Sequence, residues 1–240
     1  AVAWIYRWAS KQRAMMERVE KLRAATGQLE QQLRAAGALD SALQRQLSDA
    51  QELLQQALTP AMQAQMQRLE NASQQQDGQQ ARDALRNLAQ MQQQLREQLE
   101  RSAQMLERAA AEGAMQTLGD QARELAAKEH ALADSASRTN PGEQERASQA
   151  GKLAAQSEQL RDAMSNLQAQ LEKNRAEAGA TRASKAVQHG ATSDSAMQRA
   201  AQSMKSDGDG RQQARDAASE RERAAPAMQD AREAQRKGWK

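Results

Sequence analysis

A chain of 240 residues is long enough for one or two domains, yet Leu, Ile, Val and Phe make up only about 11% of it, against the roughly 20% below which a packed core becomes doubtful. Its 34 basic residues nearly cancel its 31 acidic ones, so it lacks the charge excess of a disordered polyelectrolyte, and the net +3 is a weak field that implies no nucleic acid partner. Cysteine is absent, which excludes disulfides, thiolate zinc sites and cysteine nucleophiles.

The bulk of the chain is Ala, Gln, Glu, Arg and Leu, which lose little freedom in a helix, while strand formers are scarce. The expected fold class is therefore all-α: an elongated antiparallel coiled-coil or helical hairpin bundle with a weakly ordered helical C-terminal region.

The first ten residues stand apart. Trp4, Tyr6 and Trp8 are three of the four aromatic residues, no acid accompanies them, and Lys11, Arg13 and Arg18 follow. An aromatic belt with a basic flank is the pattern of a membrane interface. The segment is too short to cross a bilayer, which needs about 20 residues, so residues 1–10 are read as the end of an anchoring segment whose upstream part has been cut away. An aromatic end packed on a partner helix is the alternative.

Residues 11–133 are expected to form a helical coiled-coil region with breaks near 37, 59 and 71–78. Met15, Val19, Leu22, Thr26, Leu29, Leu33 and Ala36 recur in alternating steps of four and three, the repeat of a left-handed coiled coil. After Gly37, Ser41 with Gln44 is expected to form a capping box for a helix whose stripe runs through Leu43, Leu47, Ala50, Leu54 and Ala57. Thr59-Pro60 then opens a short helix carrying Met62, Met66 and Leu69.

Beyond the polar stretch from Asn71 to Gly78 the stripe is long: Leu85, Leu88, Gln92, Leu95, Leu99, Ser102, Leu106, Ala109, Met115, Leu118, Ala122, Leu125, Glu129 and Leu132. Gln92, Ser102 and Glu129 occupy seam positions, where polar groups lower stability and specify register. The cluster from Asp134 to Gly142 is the clearest boundary, with Asn140 expected to cap a helix that begins at Pro141. Residues 143–179 form the second coiled-coil helix, on Leu153, Ser157, Leu160, Met164, Leu167 and Leu171, and should fold back antiparallel. No leucine follows Leu171, so residues 180–240 are expected to be weak, alanine-packed and partly disordered helices, in a region punctuated by Gly179, Gly190, Gly208, Gly210 and Pro226.

Little in the sequence points to chemistry. His130 and His189 lack the spacing of a zinc pair, and Ala150-Gly151-Lys152-Leu153 lacks the first glycine and the hydroxyl of a phosphate loop. Asp207-Gly208-Asp209-Gly210 lacks the first carboxylate and the final glutamate of a calcium loop. No apolar pocket is expected to shift the pKa of the abundant carboxylates, and aromatic residues that could stack on bases are missing from the body of the chain.

Ala38 to Leu132 resembles a known group of sequences, through Leu39-Asp40-Ser41-Ala42-Leu43, Leu58-Thr59-Pro60, Ala84-Leu85-Arg86-Asn87-Leu88, Gln98-Leu99-Glu100-Arg101-Ser102 and Ala122-Arg123-Glu124-Leu125-Ala126. These strings look like a family of uncharacterised bacterial membrane proteins, in which a short membrane anchor precedes a long Leu-, Gln- and Ala-rich coiled-coil region. The resemblance implies bacterial membrane association and brings no activity or site residue with it. The expected function is a non-catalytic, membrane-anchored scaffold or assembly protein. It would pair with itself or an envelope protein through its coiled-coil faces, and take neither cofactor nor small-molecule substrate. A soluble helical adaptor or phasin-like surface-coating module is the alternative.

Overall fold

A computed structural model describes residues 2–56, 64, 78–135, 142–206 and 209–238, and six helices account for nearly all of the backbone of these described residues. They are α1 (Val2–Ala35), α2 (Ser41–Gln56), α3 (Gly78–Ser135), α4 (Glu143–Lys173), α5 (Glu177–Lys205) and α6 (Arg211–Gly238). No strand occurs among the described residues, and the all-α reading holds. The chain divides into two units, residues 1–110 and 111–240, with the division inside α3.

In the first unit α1 ends in a Schellman turn: Gly37 takes φ +65°, its amide donates to the Arg34 carbonyl, and Ala38 N–H donates to the Leu33 carbonyl at 2.8 Å. The break expected at Gly37 is thus a helix stop that turns α2 back along α1, where Arg23 reaches the Leu54 carbonyl and Gln51 reaches Glu30. The cap of α2 differs from the expected one. Asp40 Oδ1 accepts the amides of Ala42 and Leu43 at 3.1 and 2.9 Å, so Asp40 holds the cap and Ser41 is the first helical residue. The carboxylate sits one residue upstream of the expected hydroxyl and satisfies two orphan amides. Leu33, Ala38, Leu43, Leu47, Ala50, Leu106 and Ala109 form the core here, with Leu22 and Leu29 partly buried against it.

The second unit is an up-down-up-down four-helix bundle made of the C-terminal part of α3 with α4, α5 and α6. Its register is set by pairs that run in opposite senses. Along α3 and α6 these are Glu112 with Arg236, His130 with Glu222, and Asp134 with Arg215. Along α5 and α6 they are His189 with Glu220 and the Ser193 hydroxyl with the Ala217 carbonyl. The antiparallel return expected after residue 142 is present, although α4 starts at Glu143 with Gly142 in the cap position, whose carbonyl accepts from Glu145 and Arg146. Asn140 and Pro141 lie outside the described residues, as do Thr59, Pro60, Met62, Met66 and Leu69.

The expected helix over 143–179 stops earlier. A second Schellman turn ends α4, with Ala176 N–H on the Leu171 carbonyl and Arg175 at φ 56°. Gly179 is no stop but part of α5, buried where a Cβ would collide with the Gln235 side chain. In the region 180–240, where alanine-packed helices were expected, α5 and α6 bury Ala183, Ala186, Met197, Ala200 and Met204 on the one and Ala214, Ala217, Ala224, Met228 and Ala231 on the other. Alanine buries little area per residue but lets helix axes approach closely, and dispersion contacts accumulate as they do. Pro226 does not break α6; it lies on the exposed face, with buried Ala224, Ala225 and Met228 around it holding the helix in place.

Candidate functional site

Most of the leucine stripe read from the sequence becomes core. Val19, Leu33, Leu95, Leu99, Leu106, Leu118, Leu125, Leu153, Leu160, Leu167 and Leu171 are buried, while Leu22 and Leu29 are half-buried. The side chains of Leu85 and Leu88 lie outside the described residues, as do those of Trp4, Tyr6 and Trp8, although α1 runs unbroken from Val2 through them. Met16 is the exposed large apolar side chain among the described residues. No described helix is long and apolar enough to cross a membrane.

The polar seam positions divide into two kinds. Thr26 and Ser102 are buried but satisfied locally, each hydroxyl donating to the carbonyl four residues back, Leu22 at 2.7 Å and Gln98 at 2.9 Å. Glu129 has no such outlet. Its carboxylate is fully buried in the bundle, accepts no hydrogen bond, and lies 3.7 Å from the equally buried guanidinium of Arg221.

Arg221 donates from Nη2 to the Ser157 hydroxyl and leaves Nε and Nη1 without a hydrogen bond. Close by, Arg161 Nη1 donates to the buried Asp194 Oδ2 at 2.6 Å. All four helices thus contribute to the cluster: Glu129 from α3, Ser157 and Arg161 from α4, Asp194 from α5 and Arg221 from α6. Gly190 borders the cluster, where a Cβ would stand in ordinary contact 3.9 Å from Arg221 Nη1.

Burial decides the electrostatics. It pushes the Glu129 carboxyl up to about 7 against the opposing pull of Arg221, with the Asp194 charge adding to the rise. The same burial lowers Arg221, against the combined attraction of Glu129 and Asp194. A carboxylate that titrates near neutrality was not expected from a sequence with no apolar pocket in view; the alanine-packed core supplies the low dielectric.

Of this cluster only Glu129 and Ser157 stood out beforehand, as polar entries in an apolar stripe. Arg221 carries the same signal, because Ala214, Ala217, Ala218, Ala224, Ala225 and Met228 place it in the middle of a small-residue stripe at helical spacing. Asp194 sits likewise among Ala183, Ala186, Gly190 and Met197. In a chain this rich in alanine and charge, neither stripe contrasts enough with its surroundings to be seen.

The arrangement has the parts of a structural ion cluster. No three His, Asp or Glu side chains converge as a metal site among the described residues, and a surface groove of about 240 Å³ between α3 and α4 is lined by Gln121, Glu124, Lys128, Gln156 and Gln159 over Leu125 and Leu160. His130 and His189 each face one glutamate of α6. The turn at Asp209 ties its carboxylate to Arg211, which lowers the Asp209 pKa; Asp207 and Gly208 lie outside the described residues. Compared with protein-family models, with curated proteins and with solved structures, the chain matches none.

Proposed function

We propose that the protein is a non-catalytic, membrane-anchored helical scaffold of the bacterial envelope, acting through helix–helix association with itself or an envelope partner. The observation that carries this reading is the continuity of α1. The aromatic and basic segment at Trp4, Tyr6 and Trp8 stands on the same helix as the buried Val19 and Leu33, so an interfacial anchor there would be joined to the packed first unit without a flexible linker. From Trp8 to Val19 the helix rises about 17 Å at 1.5 Å per residue, enough to carry the packed seam clear of the headgroups. The resemblance of residues 38–132 to membrane-anchored coiled-coil proteins supports the same assignment.

The alternative, a soluble module that coats a surface with its Ala and Leu face, has less support, because the described leucines are turned into the two cores. Fractionation of cells that express the whole natural reading frame tests the proposal. The product is expected in the membrane pellet, retained through high salt and released by detergent; recovery in the soluble fraction would overturn it. Flotation of the present chain with liposomes distinguishes the alternative, since a surface-coating module floats even after Trp4, Tyr6 and Trp8 are replaced by alanine.

A further inference from the structure

We propose that the Glu220-Arg221-Glu222 segment of α6 is a proton-tightened clasp, in which contacts to Glu129 and His130 of α3, Ser157 of α4 and His189 of α5 hold α6 in the bundle more firmly as pH falls through neutrality. Three consecutive residues of one helix here reach all three of its neighbours. Glu220 Oε2 lies 2.8 Å from His189 Nδ1, Arg221 faces Glu129 and Ser157, and Glu222 Oε1 lies 3.1 Å from His130 Nε2.

The buried contact to Glu129 carries the pH dependence. An ionised Glu129 is a buried carboxylate without a hydrogen bond, facing a guanidinium that stands 3.7 Å away and donates to Ser157 instead. A proton removes that charge and with it the cost of burying it. Burial places this carboxyl near 7, within the range where the change matters.

The contacts of His130 with Glu222 and of His189 with Glu220 dock α6 against α3 and α5 beside that pair. The surrounding charges are fixed. Arg221 retains Asp194 nearby when Glu129 is neutral, Asp194 is held by Arg161, Arg161 also binds Asp162 and Glu158, and Arg223 pairs with Glu220. Loosening α6 on the alkaline side would uncover apolar side chains of α3, α4 and α5 that the closed bundle hides.

Hydrogen exchange of α6 amides in the whole chain, corrected for intrinsic rates, reads the opening constant of the clasp. Between about pH 5.5 and about pH 8.5 that constant is expected to rise roughly tenfold or more, while α2 in the other unit shows no comparable rise. Glu129→Gln, a neutral isostere, should remove most of the rise. A pH-independent α6, an equal rise in α2, or a rise undiminished in that variant overturns the proposal. Should Glu129→Gln fail to fold, a carbon-13 titration of the Glu129 carboxyl in the unaltered protein decides: a midpoint near neutrality supports the clasp, and one in the ordinary carboxylate range overturns it.

Discussion

Glu129 and Arg221 face each other across the bundle at 3.7 Å with neither side chain exposed to solvent, on helices separated by most of the second unit's sequence. Two ions without water must compensate each other or cost stability, so the pair is coupled far more tightly than any surface bridge. Removing one partner is therefore much worse than removing both. Arg221→Ala should destabilise the second unit by about 3–5 kcal/mol, while the joint replacement Glu129→Met with Arg221→Met should cost far less. Urea unfolding followed by circular dichroism checks both, and equal losses would contradict the coupling.

The pair also fixes a direction for the pH dependence. The folded pKa of Glu129 is raised from 4.5 to about 7, so the folded state binds the extra proton. Its contribution is complete below the unfolded pKa and is lost as pH rises through about 7. The urea midpoint of the second unit should fall over that window, and a midpoint that climbs instead would contradict the assignment.

Pro226 lies inside α6, where it supplies no amide to the helical ladder and its ring crowds the Glu222 carbonyl. Because the residue is exposed, Pro226→Ala removes this defect without opening a cavity. A stabilisation of about 1–3 kcal/mol is expected, visible as a higher melting temperature. No change would mean that water or a neighbouring group already satisfies that carbonyl.

Arg175 occupies the left-handed position that ends α4, at φ 56°, with its side chain exposed. A Cβ there is crowded against the backbone, and glycine is not. Arg175→Gly should gain about 1 kcal/mol, partly offset by the greater freedom of glycine in the unfolded chain. A loss of stability would show that the arginine side chain contributes more than its backbone strain costs.

At the start of α2 two neighbouring substitutions separate the observed cap from the expected one. Asp40→Ala should cost about 1 kcal/mol, since two amides lose their acceptor, whereas Ser41→Ala should be close to neutral. Thermal melts of the two variants give the answer directly, and the reverse order would restore Ser41 as the cap.

The leucine spacing made the helices legible before any coordinates, because a period between three and four residues leaves one apolar face, and the stripe from Leu95 to Leu132 is buried along its length. Gly37 was equally readable, since a glycine just past the last periodic residue is a helix stop. Asn174-Arg175 was not, because a non-glycine residue in the left-handed region carries no local mark and Gly179 nearby offers a better one. In the C-terminal helices alanine stands where the others have leucine: hydropathy measures alanine by its size, while packing measures it by how near two helix axes can come.

By itself, then, the order of amino acids determined that this protein is helical, where its leucine seams lie, and that Glu129 sits on one of them, because these depend on propensity and period, which are local. That Glu129 meets Arg221, Ser157 and the charge of Asp194 in a space without water was decided only by the tertiary structure. Four helices had to pack on alanine and glycine before that carboxyl lost its solvent, and the desolvation that moves its pKa belongs to the assembled bundle and to no segment of it.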